Sequence, residues 1–200
     1  TDLANISAKS LTPVIAANDK VYDGATAATL SSQIVSGVIG SEVVTLTVGS
    51  ATFDTKDVGT NKTVTASGLS LGGADAANYV LGPASATDSA SISAKSLAPA
   101  IVADDKVYDG TTAATLSSQT VAGVIGSEVV TLAVSAAAFD TKNVGTNKSV
   151  TASGLSLGGA DAGNYVLGAA TAADLASITQ ASLTITAATN SKVYDGTTTA

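Results

Sequence analysis

The pentapeptide KVYDG begins at Lys20, at Lys106 and at Lys192, 86 residues apart each time. The same offset relates Ile6 to Ile92 and Ile178, and Phe53 to Phe139. Of the 86 positions from 6 to 91, 68 recur unchanged in 92–177, with no insertion or deletion. Solenoid coils repeat every 20–50 residues or so. A period of 86 is instead the length of a small autonomous domain. The repeat divides the chain into the end of a preceding copy (1–7), two full copies (8–93 and 94–179) and the incomplete start of a third (180–200). That last piece supplies an opening strand and turn without their partners, so it is expected to pack poorly.

Within one copy the pattern is that of strands. Thr, Val and Ser are abundant, glycine punctuates often, and apolar residues alternate over short spans. Leu11, Pro13 and Ile15 share a face of the first strand, and proline's missing N–H suits a sheet edge. Asp23-Gly24 is a tight-turn signal. Val44, Leu46 and Val48 line one face of the next long strand, and Phe53 is the one large core ring. In KTVTASGLSLGG the inward set shifts parity between Ala66 and Leu69, which a β-bulge at Ser67-Gly68 would absorb. Six or seven short strands with glycine-rich turns predict an all-β chain of tandem small β-sandwich domains.

The phrase DAGNYVL, Asp161 to Leu167, resembles strand F of immunoglobulin domains. That resemblance implies an immunoglobulin-like sandwich in which Tyr79 and Tyr165 form a tyrosine corner, each hydroxyl bonding to backbone nearby. The cysteine pair and core tryptophan of antibody domains are absent, and a β-grasp-like mixed sheet is the alternative. Over the whole unit, K-V-Y-D-G-T-T-A-A-T-L, V-G-T-N-K and S-G-L-S-L-G-G-A-D-A-G-N-Y, in that order, resemble the YDG repeat of bacterial surface proteins. These include filamentous-haemagglutinin-like adhesins exported by two-partner secretion. The resemblance implies an extracellular or cell-surface location, tandem arrays, and a stalk or adhesive role.

Composition narrows the chemistry. The chain has no Cys, His, Trp, Met or Arg, and nine lysines stand against sixteen acidic residues, a net charge of −7. Ordinary zinc, copper and haem sites need Cys or His. Phosphate binding needs clustered positive charge, so neither nucleic acid nor an anionic membrane is an expected partner. No apolar run of about 20 residues is present to insert in a bilayer as a helix. Glycosidase-type catalysis needs two facing carboxylates, whereas each unit holds one glutamate, Glu42 or Glu128, and scattered aspartates. No catalytic residue and no cofactor are therefore expected.

The remaining candidates are structural or adhesive. Tyr22, Asp23 and Gly24, with Tyr108, Asp109 and Gly110, read as a turn scaffold whose carboxylate bonds backbone N–H groups. The alternative makes Tyr22 and Tyr108 stacking contacts for a glycan or protein on a host or neighbouring cell, with avidity from repetition. Asp104, Asp105 and Asp109 are the candidate calcium ligands, although Asn18 stands where Asp104 does in the other copy and no EF-hand loop occurs. Lys20, Lys62, Asn78 and Glu42 are the raw material for an intramolecular cross-link, but both lysines lie beside turn signals and read as exposed.

Overall fold

A computed structural model of the chain describes residues 4–198. It is nearly all β, with no α-helix among the described residues. Unit one runs β1 (Lys9–Ala17), β2 (Lys20–Val21), β3 (Leu30–Ser36), β4 (Thr45–Thr47), β5 (Ser50–Phe53), β6 (Gly59–Ser67), β7 (Ser70–Gly72), β8 (Tyr79–Leu81) and β9 (Ala86–Ser93). Unit two runs β10 (Lys95–Ala103), β11 (Lys106–Val107), β12 (Leu116–Ala122), β13 (Thr131–Phe139), β14 (Gly145–Gly158), β15 (Tyr165–Leu167) and β16 (Ala172–Thr179). Residues 180–198 form no strand.

Each unit has two curled sheets of mixed direction. In unit one the first has the order β3-β1-β8 and the second β2-β9-β6-β5, with β4 and β7 paired separately. The β1–β8 and β2–β9 pairs are parallel, and the other pairs are antiparallel. Ile15 of β1 is buried against Ala66 of β6 and Ala86 of β9, so a branched side chain from one layer meets two methyl groups from the other. Ile101 repeats this against Ala152 and Ala172. Small residues opposite a large one let the layers interdigitate without voids.

The strand readings are refined in two places. β1 is a sheet edge only after Leu11: Lys9–Leu11 pair with β8, and Pro13 follows where β1 keeps β3 alone. No extra residue is inserted at Ser67-Gly68. Thr47 faces Ser70 and Ser50 faces Ser67, so the ladder passes the site without losing register. Both strands change parity together instead, with Gly68 at φ +63° opposite Gly49. A left-handed glycine reverses the face without adding a residue. The true register shift lies between Gly59 and Lys62, and Asn61 sits there at φ +52°. Asparagine is among the few side chains that tolerate this region, which explains the asparagine of VGTNK.

Candidate functional site at the junction between repeats

β9 ends at Ser93 and β10 begins at Lys95, so one residue, Ala94, separates the units. What surrounds this link is built largely from the KVYDG turn. The backbone N–H of Tyr22 donates to the Ser93 carbonyl at 2.8 Å, holding the tyrosine beside the end of its own unit. Asp23 shapes the turn that follows. Its Oδ1 accepts from the Ala25 N–H at 2.9 Å and from Lys20 Nζ at 2.7 Å, and Gly24 takes φ +78°. Lys20 Nζ also caps the carbonyls of Ala25 and Ala27 and lies 5.4 Å from the centre of the Phe53 ring.

This turn projects Tyr22 into unit two. The ring is 1% exposed and meets Tyr165 edge-on, with centroids 5.5 Å apart. One apolar cluster crosses the boundary: Tyr22, Phe53, Val64, Ala90 and Ile92 from unit one join Leu97 and Tyr165 from unit two. At its polar rim stands Glu128. Its Oε1 accepts from the Tyr22 hydroxyl at 2.5 Å and from Lys56 Nζ at 2.6 Å, and its Oε2 accepts from the Tyr165 hydroxyl at 2.5 Å. Lys56 also donates to the Tyr22 oxygen at 3.0 Å, and the Ile125 N–H donates to the Tyr165 oxygen at 3.1 Å. A second clamp lies alongside, where Asn164 accepts from the Val58 N–H at 3.0 Å and donates to Asp57 at 3.3 Å.

The electrostatics follow from these contacts. Lys56, then the Tyr165 and Tyr22 hydroxyls, hold the Glu128 carboxyl down at about 2. Glu128 in turn pushes the Lys56 ammonium up. Burial, reinforced by the bond to Glu128, raises both Tyr22 and Tyr165. The cluster therefore carries one carboxylate, one ammonium and two neutral phenols at neutral pH. A charged acceptor of three hydrogen bonds is costly to leave unpaired.

Several sequence-derived candidates take different roles here. Tyr22 is sealed between the units, which corrects its reading as a ligand contact: no face is left for a sugar. Tyr108, its counterpart, is 38% exposed. Asp109 is held down at about 2 by Lys106 and the Thr111 N–H, and Gly110 takes φ +80°. The tyrosine-corner reading is also corrected, because Tyr79 and Tyr165 reach backbone 40 residues upstream, at Ile39 and Ile125, and not beside themselves. The calcium candidates do not converge. Asp105 accepts from the Ser177 N–H at 2.6 Å, Asp109 is taken by Lys106, and no metal-ligating cluster occurs among the described residues. Lys20 and Lys62 are largely buried, with side chains 16% and 10% exposed, and are paired with Asp23 and Asp54. Both are thus spent away from Asn78 and Glu42, which lowers the case for a cross-link. Lys56, Asp57, Asn164 and the role of Glu128 are absent from the sequence reading. The one available signal was that each unit has a single glutamate, at a fixed place.

Fold and junction together define a repeated all-β domain whose successive copies are clamped by a tyrosine from one and a glutamate from the next. The YDG domain model matches residues 7–88 and 93–173, and the chain belongs to this family. Searches among curated proteins and among solved structures returned no match.

Proposed function

We propose that the chain is a stalk segment of a large secreted or cell-surface bacterial adhesin, built of tandem immunoglobulin-like sandwich units and without catalytic role. The observation that carries this is the junction: a one-residue link combined with a shared apolar cluster and a four-member polar network leaves little freedom between units. The fates of the reactive groups support it too. Asp19, Asp88, Asp105 and Asp174 each accept a backbone N–H from a distant strand or turn, and so serve as braces. Surface location and an adhesive tip elsewhere in the protein follow from the family resemblance. Any host glycan or protein would then be met by that tip.

Small-angle scattering tests the reading. A compact chain of this length has a radius of gyration of about 16 Å, whereas two units end to end, with centres about 35 Å apart, give about 21 Å. A value near the lower figure would refute a stalk.

A further inference from the structure

The first and last strands of a unit lie side by side and run the same way. Ile15 of β1 packs on Ala86 of β9, and the Ala17 N–H donates to Asp88 Oδ2 at 2.8 Å. Further on, the Ser91 N–H donates to Asp19 Oδ1 at 2.6 Å, Lys20 pairs with Ile92, and Val21 pairs with Ser93. Residue numbers climb together on both sides of this strip. The chain therefore enters a unit at one pole, at Lys9, and leaves it at the other, at Ser93. We infer that the strip is a mechanical clamp: tension carried along the chain shears β1 and β2 against β9, which is the shortest load path through the unit.

The direction of the bonds decides their strength. Rungs lying across the pull must give way together, whereas rungs pulled from one end open one at a time. Between Ala17 and Lys20 the chain crosses from the first sheet to the second, and the backbone ladder is interrupted. Asp88 and Asp19 fill that gap, one from each side. A carboxylate accepting a backbone N–H makes a shorter and stronger bond than a neutral pair does. Past the gap the ladder resumes, and the Tyr22 N–H closes it on the Ser93 carbonyl at 2.8 Å. The strip thus ends where the Tyr22 side chain is held by Tyr165 and Glu128 of unit two. Load passes from one clamp toward the next without crossing a slack segment.

Unit two repeats the strip. Ile101 packs on Ala172, the Ala103 N–H donates to Asp174 Oδ2 at 2.9 Å, and the Ser177 N–H donates to Asp105 Oδ1 at 2.6 Å. Lys106 and Val107 pair with Ile178 and Thr179. The copies differ here at Ser93, which becomes Thr179, and the hydroxyl still donates to the lysine carbonyl opposite, at 3.3 Å in both units. Asn18 becomes Asp104, but the Asn18 side chain bonds to Thr29 and not across the strip. The clamp rests on the stalk reading for its use, since a tether is what carries tension, but not for its geometry.

Single-molecule pulling on the full 200-residue chain tests this. The chain has no cysteine, so introduced cysteines fix the grip. Held by its two ends, the chain loads both strips lengthwise. Held through Thr112→Cys and Gln180→Cys, unit two is pulled from the one end of its strip where Val107 meets Thr179, and the rungs open in turn. The second grip is expected to unfold unit two at a clearly lower force. With the ends held, Asp88→Ala and Asp174→Ala together are expected to speed unfolding under load about tenfold or more. Val134→Ala, on β13 at the far edge of the second sheet, is expected to lower the denaturant midpoint of unit two yet leave its unfolding rate under load near wild type. Equal forces from the two grips, brace variants that hold as well as wild type, or a Val134→Ala variant that yields as fast as they do would each overturn the inference. The comparison of grips keeps all four aspartates, so it decides the matter even where the double variant fails to fold. An elongated chain that yields equally from both grips overturns the clamp alone; a compact particle in scattering, with the directional difference intact, overturns the stalk alone.

Discussion

Tyr22→Ala and Tyr108→Ala place one perturbation in the same pentapeptide twice, once with the junction filled and once with it open. Tyr22 is 1% exposed and packs with Phe53, Val64 and Ile92 as well as Tyr165. Truncating a buried aromatic ring to alanine costs about 3–5 kcal/mol. Tyr108 is 38% exposed and makes no such cluster, and truncation at a partly exposed site of this kind costs about 1 kcal/mol or less. For a unit of this size, 3 kcal/mol lowers the melting temperature by roughly 12–24 °C. Calorimetry on the wild-type chain and both variants reads the difference directly. Tyr22→Ala is expected to split off an early transition for unit one, while Tyr108→Ala leaves the profile close to wild type. Equal losses would mean that the tyrosine serves only its own turn, and the account of the junction would fall.

Other consequences are equally open to measurement. Glu128 ionises near 2 in the folded junction, against 4.5 ordinarily, so its stabilisation is complete above pH 4.5 and disappears as the pH falls toward 2; coupling between the units, followed by tyrosine fluorescence, should persist at pH 5 and fail in strong acid. Tyr22 and Tyr165 are raised above 10, so their contribution is intact below pH 10 and is lost on going well above it; Tyr79 is raised too, by its bond to Glu42, so a spectrophotometric titration should show three phenols ionising late. Gly73→Ala should cost about 3 kcal/mol or more in denaturant unfolding of unit one, because φ is +100° and the new methyl would stand 2.3 Å from the Val43 carbonyl oxygen. Gly24→Ala and Gly110→Ala share the same left-handed strain of roughly 1 kcal/mol, but only at Gly24 would the methyl meet Ile125, at 3.2 Å, so Gly24→Ala should be the more harmful in the same assay.

How much of this could be read from residues alone depends on range. The nearly all-β character came from alternation and glycine spacing, both local signals. Asp23-Gly24 marked its turn because glycine's freedom at φ +78° is a property of the residue itself. The reversal at Gly68 was visible as a change of parity, but the partner strand's simultaneous turn at Gly49 was not, so an inserted residue seemed necessary. Lys20 and Lys62 looked exposed because they sit near turns, yet their stems lie along the sheet and their charges are satisfied locally. The junction was the least legible part. Tyr22 and Glu128 are 106 residues apart, while an identical glutamate, Glu42, lies only 20 residues from the same tyrosine. In a duplicated sequence both pairings satisfy the same chemistry, and only folding shows that the tyrosine turns outward to its neighbour.

Because the projecting tyrosine turn and the tyrosine–glutamate pair that receives it sit at opposite ends of a unit, lengthening the chain by one period requires no new interface. A duplication in frame supplies a tyrosine for the copy that follows and a glutamate for the tyrosine of the copy that precedes in a single step, and a deletion of one period rejoins ends that already match. The number of copies can therefore change without creating an unmatched junction, whereas a change at Glu128 or Tyr22 would have to be tolerated, or matched, by the unit next door.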